Sequence, residues 1–170
     1  VLGVQKMTEL TTAEIQGLMG RVGDVQWESI FGTTFPGYYA MYASRHMALH
    51  GTTGEHLAKV AVKSHHYGAM NPYAMFQKEI TVEKAMSSPM VADPLRMYDC
   101  CANADGAAAL IITGEDLAGR YTDTPVWLDG LGCASSPISL LRRPDLTSIP
   151  SAAAAAREAY KMAGVGHEDV

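Results

Sequence analysis

Apolar and polar positions change rhythm several times along the chain. Val1-Leu2-Gly3-Val4 is an unbroken apolar run that predicts the end of a buried strand, with Gln5-Lys6-Met7 where strand gives way to loop. Residues 8–34 mix helix-friendly positions (Ala13, Glu14, Ile15, Gln16, Leu18, Met19) with Gly17, Gly20, Gly23 and Gly32, which leaves room for at most a short helix. From Phe35-Pro36-Gly37 the pattern becomes helical, with Pro36 in the first turn and Tyr38, Met41, Tyr42, Arg45 and Leu49 recurring at three- and four-residue steps. Gly51 ends that helix. The Thr-x-x-Glu spacing from Thr52 to Glu55 starts the next, with Leu57, Val60, Ala61 and Ser64 inward and Lys59 and Lys63 outward. Gly68 and Asn71-Pro72 break this helical hairpin, Thr81 caps a short helix over 81–87, and Pro89 and Pro94 then impose extended chain.

The second half has a different texture. Ala107-Ala108-Ala109-Leu110-Ile111-Ile112 is small, then branched, and free of charge, as expected of a strand buried on both faces. Pro125 to Gly132 predicts a further strand. Ser148 to Met162 predicts a helix with Pro150 in its first turn and Gly164 past its end, and the alanines 152–156 give it a thin face that suits close approach. Strands with intervening helices argue an α/β fold in which a helix-rich excursion, from about residue 8 to 96, is inserted between two strands of one sheet. Insertions of this size commonly cover a ligand site at the sheet edge. The chain divides as 1–7, 8–96, 97–122 and 123–170.

Composition narrows the function classes. At 170 residues, 48% hydrophobic and 18% charged, the chain can bury one sizeable core. Thirteen Lys+Arg against 18 Asp+Glu, a formal net charge of -5, is not the electrostatic footprint of a nucleic-acid binder. No apolar run approaches the roughly 20 residues that span a bilayer, and no signal sequence is visible, so the expected location is cytoplasmic. Cys100, Cys101 and Cys133 make an odd count with an adjacent pair, which suits a reducing compartment. The opening strand without an initiator Met and the stop at Asp169-Val170 lead us to expect a piece of a longer protein.

Several constellations invite chemistry. His46 and His50 share a helix face and could support a metal, but no His-Glu-x-x-His pattern completes them, and helix-end packing is the alternative; no metal is expected. His65-His66 suits the negative end of the second helix dipole. Cys100-Cys101 could offer a nucleophile if a base or positive dipole lay beside it, or could simply fill small apolar positions. Asn103-Ala104-Asp105-Gly106 is either a substrate-contacting loop at the sheet rim or an ordinary Asp-Gly turn. Neither Gly-x-Gly-x-x-Gly nor Gly-x-Ser-x-Gly occurs, so nucleotide hydrolysis and serine hydrolase chemistry lack their usual signals.

Four segments, in order, resemble the thiolases. Val1-Leu2-Gly3-Val4-Gln5-Lys6-Met7 is similar to the strand and turn after the family's nucleophile helix, and His50-Gly51-Thr52-Thr53-Gly54-Glu55-His56-Leu57-Ala58 to the Gly-Thr-Thr-Ala-Glu helix start of its loop domain. KSHHYGAMNPYAMFQKE, residues 63–79, resembles the Asn-Pro-Tyr-x-x-Phe-Gln stretch of the sterol-carrier-protein type. Cys100 to Ala109 resembles the Asp-Gly-Ala-Ala-Ala strand that re-enters the core.

The resemblance implies the central part of a thiolase-like fold, with 8–96 as loop domain, and an acetyl-CoA C-acyltransferase using coenzyme A and acyl-CoA as substrates, with no covalently bound cofactor. The family's reversible Claisen condensation needs a thiolate, a base and donors aimed at developing negative charge. Its catalytic cysteines and histidine match no position here, so no residue of 1–170 is expected to be catalytic. By the same resemblance, His50 borders the acyl pocket, and Cys101, Ala102 and Asn103 start the loop beside pantetheine. This chain is shorter between Asn103 and Asp105 than the family pattern, so the serine often offered to pantetheine has no counterpart. Archaeal-style acetoacetyl-CoA thiolases look nearest, implying a homodimer or tetramer, an OB-fold zinc-ribbon partner protein and hydroxymethylglutaryl-CoA synthase. The rivals are a thiolase-like aldolase acting on steroid side-chain CoA thioesters, and a non-catalytic acyl-CoA or lipid-binding module.

Overall fold

Short strands bracket a run of capped helices. The computed structural model describes residues 1–170, with β1 (Leu2–Gln5), α1 (Thr12–Met19), α2 (Phe35–His50), α3 (Gly54–Met70), α4 (Val82–Met86), β2 (Met90–Ala92), β3 (Leu95–Arg96), β4 (Gly106–Ala109), α5 (Glu115–Ala118) and α6 (Pro150–Ala163). β1 and β4 form one two-stranded sheet and β2 and β3 another, so the helix-rich excursion does sit between two strands of one sheet. The chain divides into a terminal unit (Val1–Val4, Gly106–Pro137, Ser148–Val170) and a helix-rich unit (Gln5–Asp105, Ile138–Thr147).

In the helix-rich unit, side chains close the helix starts. Thr11 and Glu14 form a reciprocal capping box on α1, and Thr34 caps α2 by accepting from the Gly37 amide at 3.3 Å. Gly51 ends α2 in the left-handed region, φ 68°. The start of α3 differs from the Thr52/Glu55 expectation by one residue. Thr53 is the cap, and the His56 ring takes the carboxylate's place, its Nδ1 accepting from the Thr53 amide at 3.0 Å. Glu55 instead pairs with Lys59 at 2.8 Å, one turn along.

The buried face of α3 is Ala58 and Ala61, with Val60 and Ser64 exposed and Leu57 half-buried, because α4 packs on the small side of the helix and buries its own Ala85 there. On α2 the buried residues are Tyr38 and Ala40, while Met41 and Leu49 are largely exposed. Gly68 does not break α3, which runs on to Met70. Its missing side chain admits the returning chain, since a Cβ there would stand 2.9 Å from the Phe76 carbonyl oxygen. The β2–β3 hairpin is antiparallel, pairs Met90 with Arg96 and Ala92 with Leu95, and turns through a cis Asp93–Pro94 bond. Ile15, Tyr38 and Leu95 are the large buried side chains of this unit.

A buried carboxylate organises the unit's other edge. Glu28 accepts hydrogen bonds from the Asp24 amide (2.8 Å), the Ser139 hydroxyl (2.8 Å) and the Leu141 amide (3.3 Å), tying Ile138–Thr147 to the segment before α2. Burial alone would push this carboxyl up, but these donors and the Leu140 amide outweigh it and hold it below the usual carboxylate range. Tyr38 donates to the Gly20 carbonyl at 3.2 Å, and burial together with the Glu28 charge pushes its hydroxyl pKa up. Gly23 must be glycine here, since a Cβ would overlap both the Tyr38 hydroxyl and the Glu28 carboxylate. Arg143 lies over the Tyr42 ring at 5.4 Å.

In the terminal unit, Val1 and Leu110 exchange both backbone hydrogen bonds (2.7 and 2.8 Å), the arrangement of an antiparallel pair. β4 covers only 106–109 and is exposed along its length, as are Leu110, Ile111 and Ile112. The expected burial of this strand on both faces is not seen within residues 1–170: the composition suits a sheet interior, but β1 is its one hydrogen-bonded neighbour here. Residues 125–132 form no strand, because no ladder partner meets them. They lie instead on the alanine face of α6, so close that a Cβ on Gly132 would overlap the Ala155 backbone. The thin face anticipated at 152–156 does permit close approach, to extended chain.

Candidate functional site

The segment from β3 to β4 carries most of the candidate residues. The Asp99 carboxylate accepts from the Arg96 amide at 2.8 Å, and the Arg96 guanidinium donates to the Ser88 carbonyl at 2.9 Å, fixing a single helical turn over Met97–Asp99. Beyond it, Cys100 is half-buried, Cys101 exposed, and Ala102, Asn103 and Ala104 half-buried. The loop then closes on Asp105, whose carboxylate accepts from the Met7 amide (2.6 Å), the Thr8 amide (2.9 Å) and the Thr8 hydroxyl (2.6 Å). Those Thr8 and Met7 donors, with a smaller contribution from Lys6, bring the Asp105 pKa down to about 2.

Cys100 lies in the wrong surroundings for a nucleophile. Burial pushes the Cys100 thiol up, and the neighbouring Asp99 charge and Cys101 push it further in the same direction. At neutral pH it is a thiol. All three cysteines are free.

His50 is the last, exposed residue of α2, and its ring lies 4.6 Å from that of His46, whose Nδ1 shares a 2.8 Å hydrogen bond with the Thr52 hydroxyl. The pair thus works in helix-end packing, and no group of three or more His, Cys, Asp or Glu side chains gathers anywhere in the chain. No hydrogen bond, ion pair or ring contact joins His50 to Cys101, Ala102 or Asn103.

His65 and His66 do not cap α3, because the helix continues to Met70. They hold the returning segment instead. The His65 Nδ1–H donates to the Lys78 carbonyl at 2.9 Å, while its ring stacks on Phe76 (6.0 Å) and meets the edge of Tyr98 (5.5 Å). The His66 Nδ1 pairs with the Glu79 carboxylate at 2.8 Å. The sequence pattern missed these pairings, and the Asn71-Pro72 turn was the available signal that the chain folds back here.

An open concavity of about 430 Å³ is lined by Ala154, Arg157, Glu158, Lys161 and Met162 of α6, none of them a candidate residue. No helix is long and apolar enough to cross a membrane.

Residues 1–116 match the family model described as the thiolase N-terminal domain. The chain belongs to the thiolase family. Thiolase relatives match it over nearly its whole length: it is 45% identical over 168 residues to an acetyl-CoA acetyltransferase of Methanothermobacter thermautotrophicus, covering 99% of this chain and 43% of that protein. A steroid side-chain-cleaving aldolase of Thermomonospora curvata is 31% identical over 150 residues, covering 85% of this chain and 38% of that one. Among solved structures, the Ltp2-ChsH2(DUF35) aldolase superposes with a TM-score of 0.81 at 30% identity, over 86% of this chain and 40% of that chain. The chain thus spans less than half the length of these thiolase-family relatives. Its fold is thiolase-like, with helices and small sheets as the α/β reading expected.

Proposed function

We propose that the protein to which this chain belongs is an acetyl-CoA C-acyltransferase, catalysing reversible Claisen condensation and thiolysis of acyl-CoA through a cysteine acyl-enzyme. Residues 1–170 supply coenzyme A and acyl binding, and the catalytic Cys and His lie outside them. The observation that carries this reading is the 45% identity to an acetyl-CoA acetyltransferase across 99% of the chain. Cys100 suits a role other than nucleophile, since a thiol whose pKa is raised by burial attacks poorly at neutral pH.

In this reading His50 borders the acyl group, and Cys101, Ala102 and Asn103 run beside pantetheine, where the loop backbone and the Asn103 amide can hydrogen-bond a polar chain. The enzyme is cytoplasmic and works as a homodimer or tetramer, with an OB-fold zinc-ribbon protein and hydroxymethylglutaryl-CoA synthase as partners. A thiolysis assay of the full-length protein with acetoacetyl-CoA and free CoA tests it. Turnover that disappears when the acyl-accepting cysteine is replaced supports the reading, and binding of CoA without turnover refutes it.

A second reading, an aldolase acting on steroid side-chain CoA thioesters, is favoured by the TM-score of 0.81 to an aldolase. It expects no cysteine nucleophile in the full-length protein, and carbon–carbon cleavage that needs no free CoA.

A further inference from the structure

The loop that follows the Met97–Asp99 turn carries no helix or strand from Cys100 to Asp105, yet both of its ends are held by contacts from distant parts of the chain. At the far end, the two oxygens of Asp105 take three donors from Met7 and Thr8, 98 and 97 residues away in sequence. At the near end, the Tyr98 ring meets His65, which is itself fixed by its bond to the Lys78 carbonyl. Between these ends no side chain of Cys101, Ala102 or Asn103 makes a hydrogen bond of its own. Loops are ordered only when their closure entropy is offset, and two anchors, one on α3 and one in the turn after β1, achieve that without occupying the loop's own polar groups.

We propose that Asp105 and His65 are positioning residues that clamp the two ends of the Cys100–Ala104 loop and so present its backbone and Asn103, preorganised, to coenzyme A. This rests on the reading of the loop as a CoA contact. Neither residue touches the substrate. Asp105 acts through Thr8 at one end and His65 through Tyr98 at the other, so their removal should weaken binding while the reacting groups keep their rate.

The test uses the full-length protein, with steady-state thiolysis and amide hydrogen exchange measured on the same variants. Asp105→Ala, and the milder Thr8→Val that deletes only the hydroxyl donor, are expected to raise the KM for CoA about five- to tenfold with kcat within about twofold, since hydrogen bonds to a charged group are lost. Exchange of the 101–104 amides should speed up in parallel. Asp105→Asn, which keeps an acceptor oxygen, should recover part of both effects, and His65→Phe, which keeps the ring but loses the bond to Lys78, should show a smaller rise in KM. Unchanged exchange and KM in both Thr8→Val and Asp105→Ala would overturn the proposal, as would a fall in kcat with KM unaltered. Asn103→Trp separates the two ideas. If it raises KM while the clamp variants do not, the clamp is wrong and the CoA reading stands; if it leaves KM unchanged, the CoA reading fails and the proposed purpose of the clamp fails with it, whatever the exchange data show.

Discussion

The two compact units are built by different means from equally apolar sequence. The helix-rich unit buries Ile15, Tyr38, Ala40, Ala58, Ala61, Ala85 and Leu95, and closes its loops with charged side chains, among them Glu28 on Ser139 and Asp105 on Thr8. The terminal unit holds the most branched apolar run in the chain, yet its one buried hydrophobic residue is Ala118, and Ile111 is 85% exposed. Small residues make its closest packing, where Gly130 and Gly132 lie against α6. Hydrophobicity alone thus does not make a core; the layers that cover it do.

Substitutions should divide along that line. The largest effect belongs to Tyr38→Ala, which removes a buried ring and its hydrogen bond to Gly20 and should cost about 3 kcal/mol in urea unfolding of the 170-residue chain. Gly132→Leu should cost about 2 kcal/mol by forcing chain off α6, visible as a loss of helical signal at lower temperature; an unchanged melt would mean the close approach is not maintained in solution. Glu28→Gln should cost about 1 kcal/mol, since three donors would then face a neutral amide, and trypsin should cut faster after Arg142 in the segment it holds.

Acid sharpens the contrast. The carboxylates held below their ordinary range, Glu14, Glu28, Glu55, Glu83 and Asp105, all belong to the helix-rich unit. A group whose folded pKa is depressed contributes stability above its unfolded pKa of about 4 and loses it as pH falls through the folded value. Lowering the pH from about 4 towards the Asp105 value of about 2 should therefore release the 100–105 loop, read as faster proteolysis there, and Asp105→Asn should remove that pH dependence. The smallest effect is expected of Ile111→Ala, within about 0.5 kcal/mol in the 170-residue chain, because the side chain is already in water.

What the sequence made legible follows the same division. Local chemistry was readable where caps and breakers act: Pro36 and Gly51 bound α2, Thr81 starts α4, and Pro150 and Gly164 bound α6. Thr11 and Glu14 carried the same capping signature and could have placed α1. Tertiary choices were not readable. Nothing in the spacing says that His56 rather than Glu55 closes the α3 box, or that Ala58 rather than Val60 faces inward, because α4 decides the latter. For the proposed coenzyme A contact, the motif order offered the Cys100–Asp105 loop but gave no sign of Thr8 and His65, whose partners Asp105 and Tyr98 lie far along the chain. Strand expectations failed at 125–132 because composition cannot supply a ladder partner.

The division of the chain also sets a timetable. The helix-rich unit is nearly continuous, residues 5–105 with one later segment, whereas the terminal unit is assembled from separate stretches and its first hydrogen-bonded pair joins residues 109 positions apart. Local contacts form quickly and long loops close late. Within residues 1–170, α1 to α4 can therefore pack from local contacts before Val1 and Leu110 are brought together. A mutation that slows the helices would then be felt as a late β1–β4 pairing, so that pair reports on the history of folding as well as its outcome.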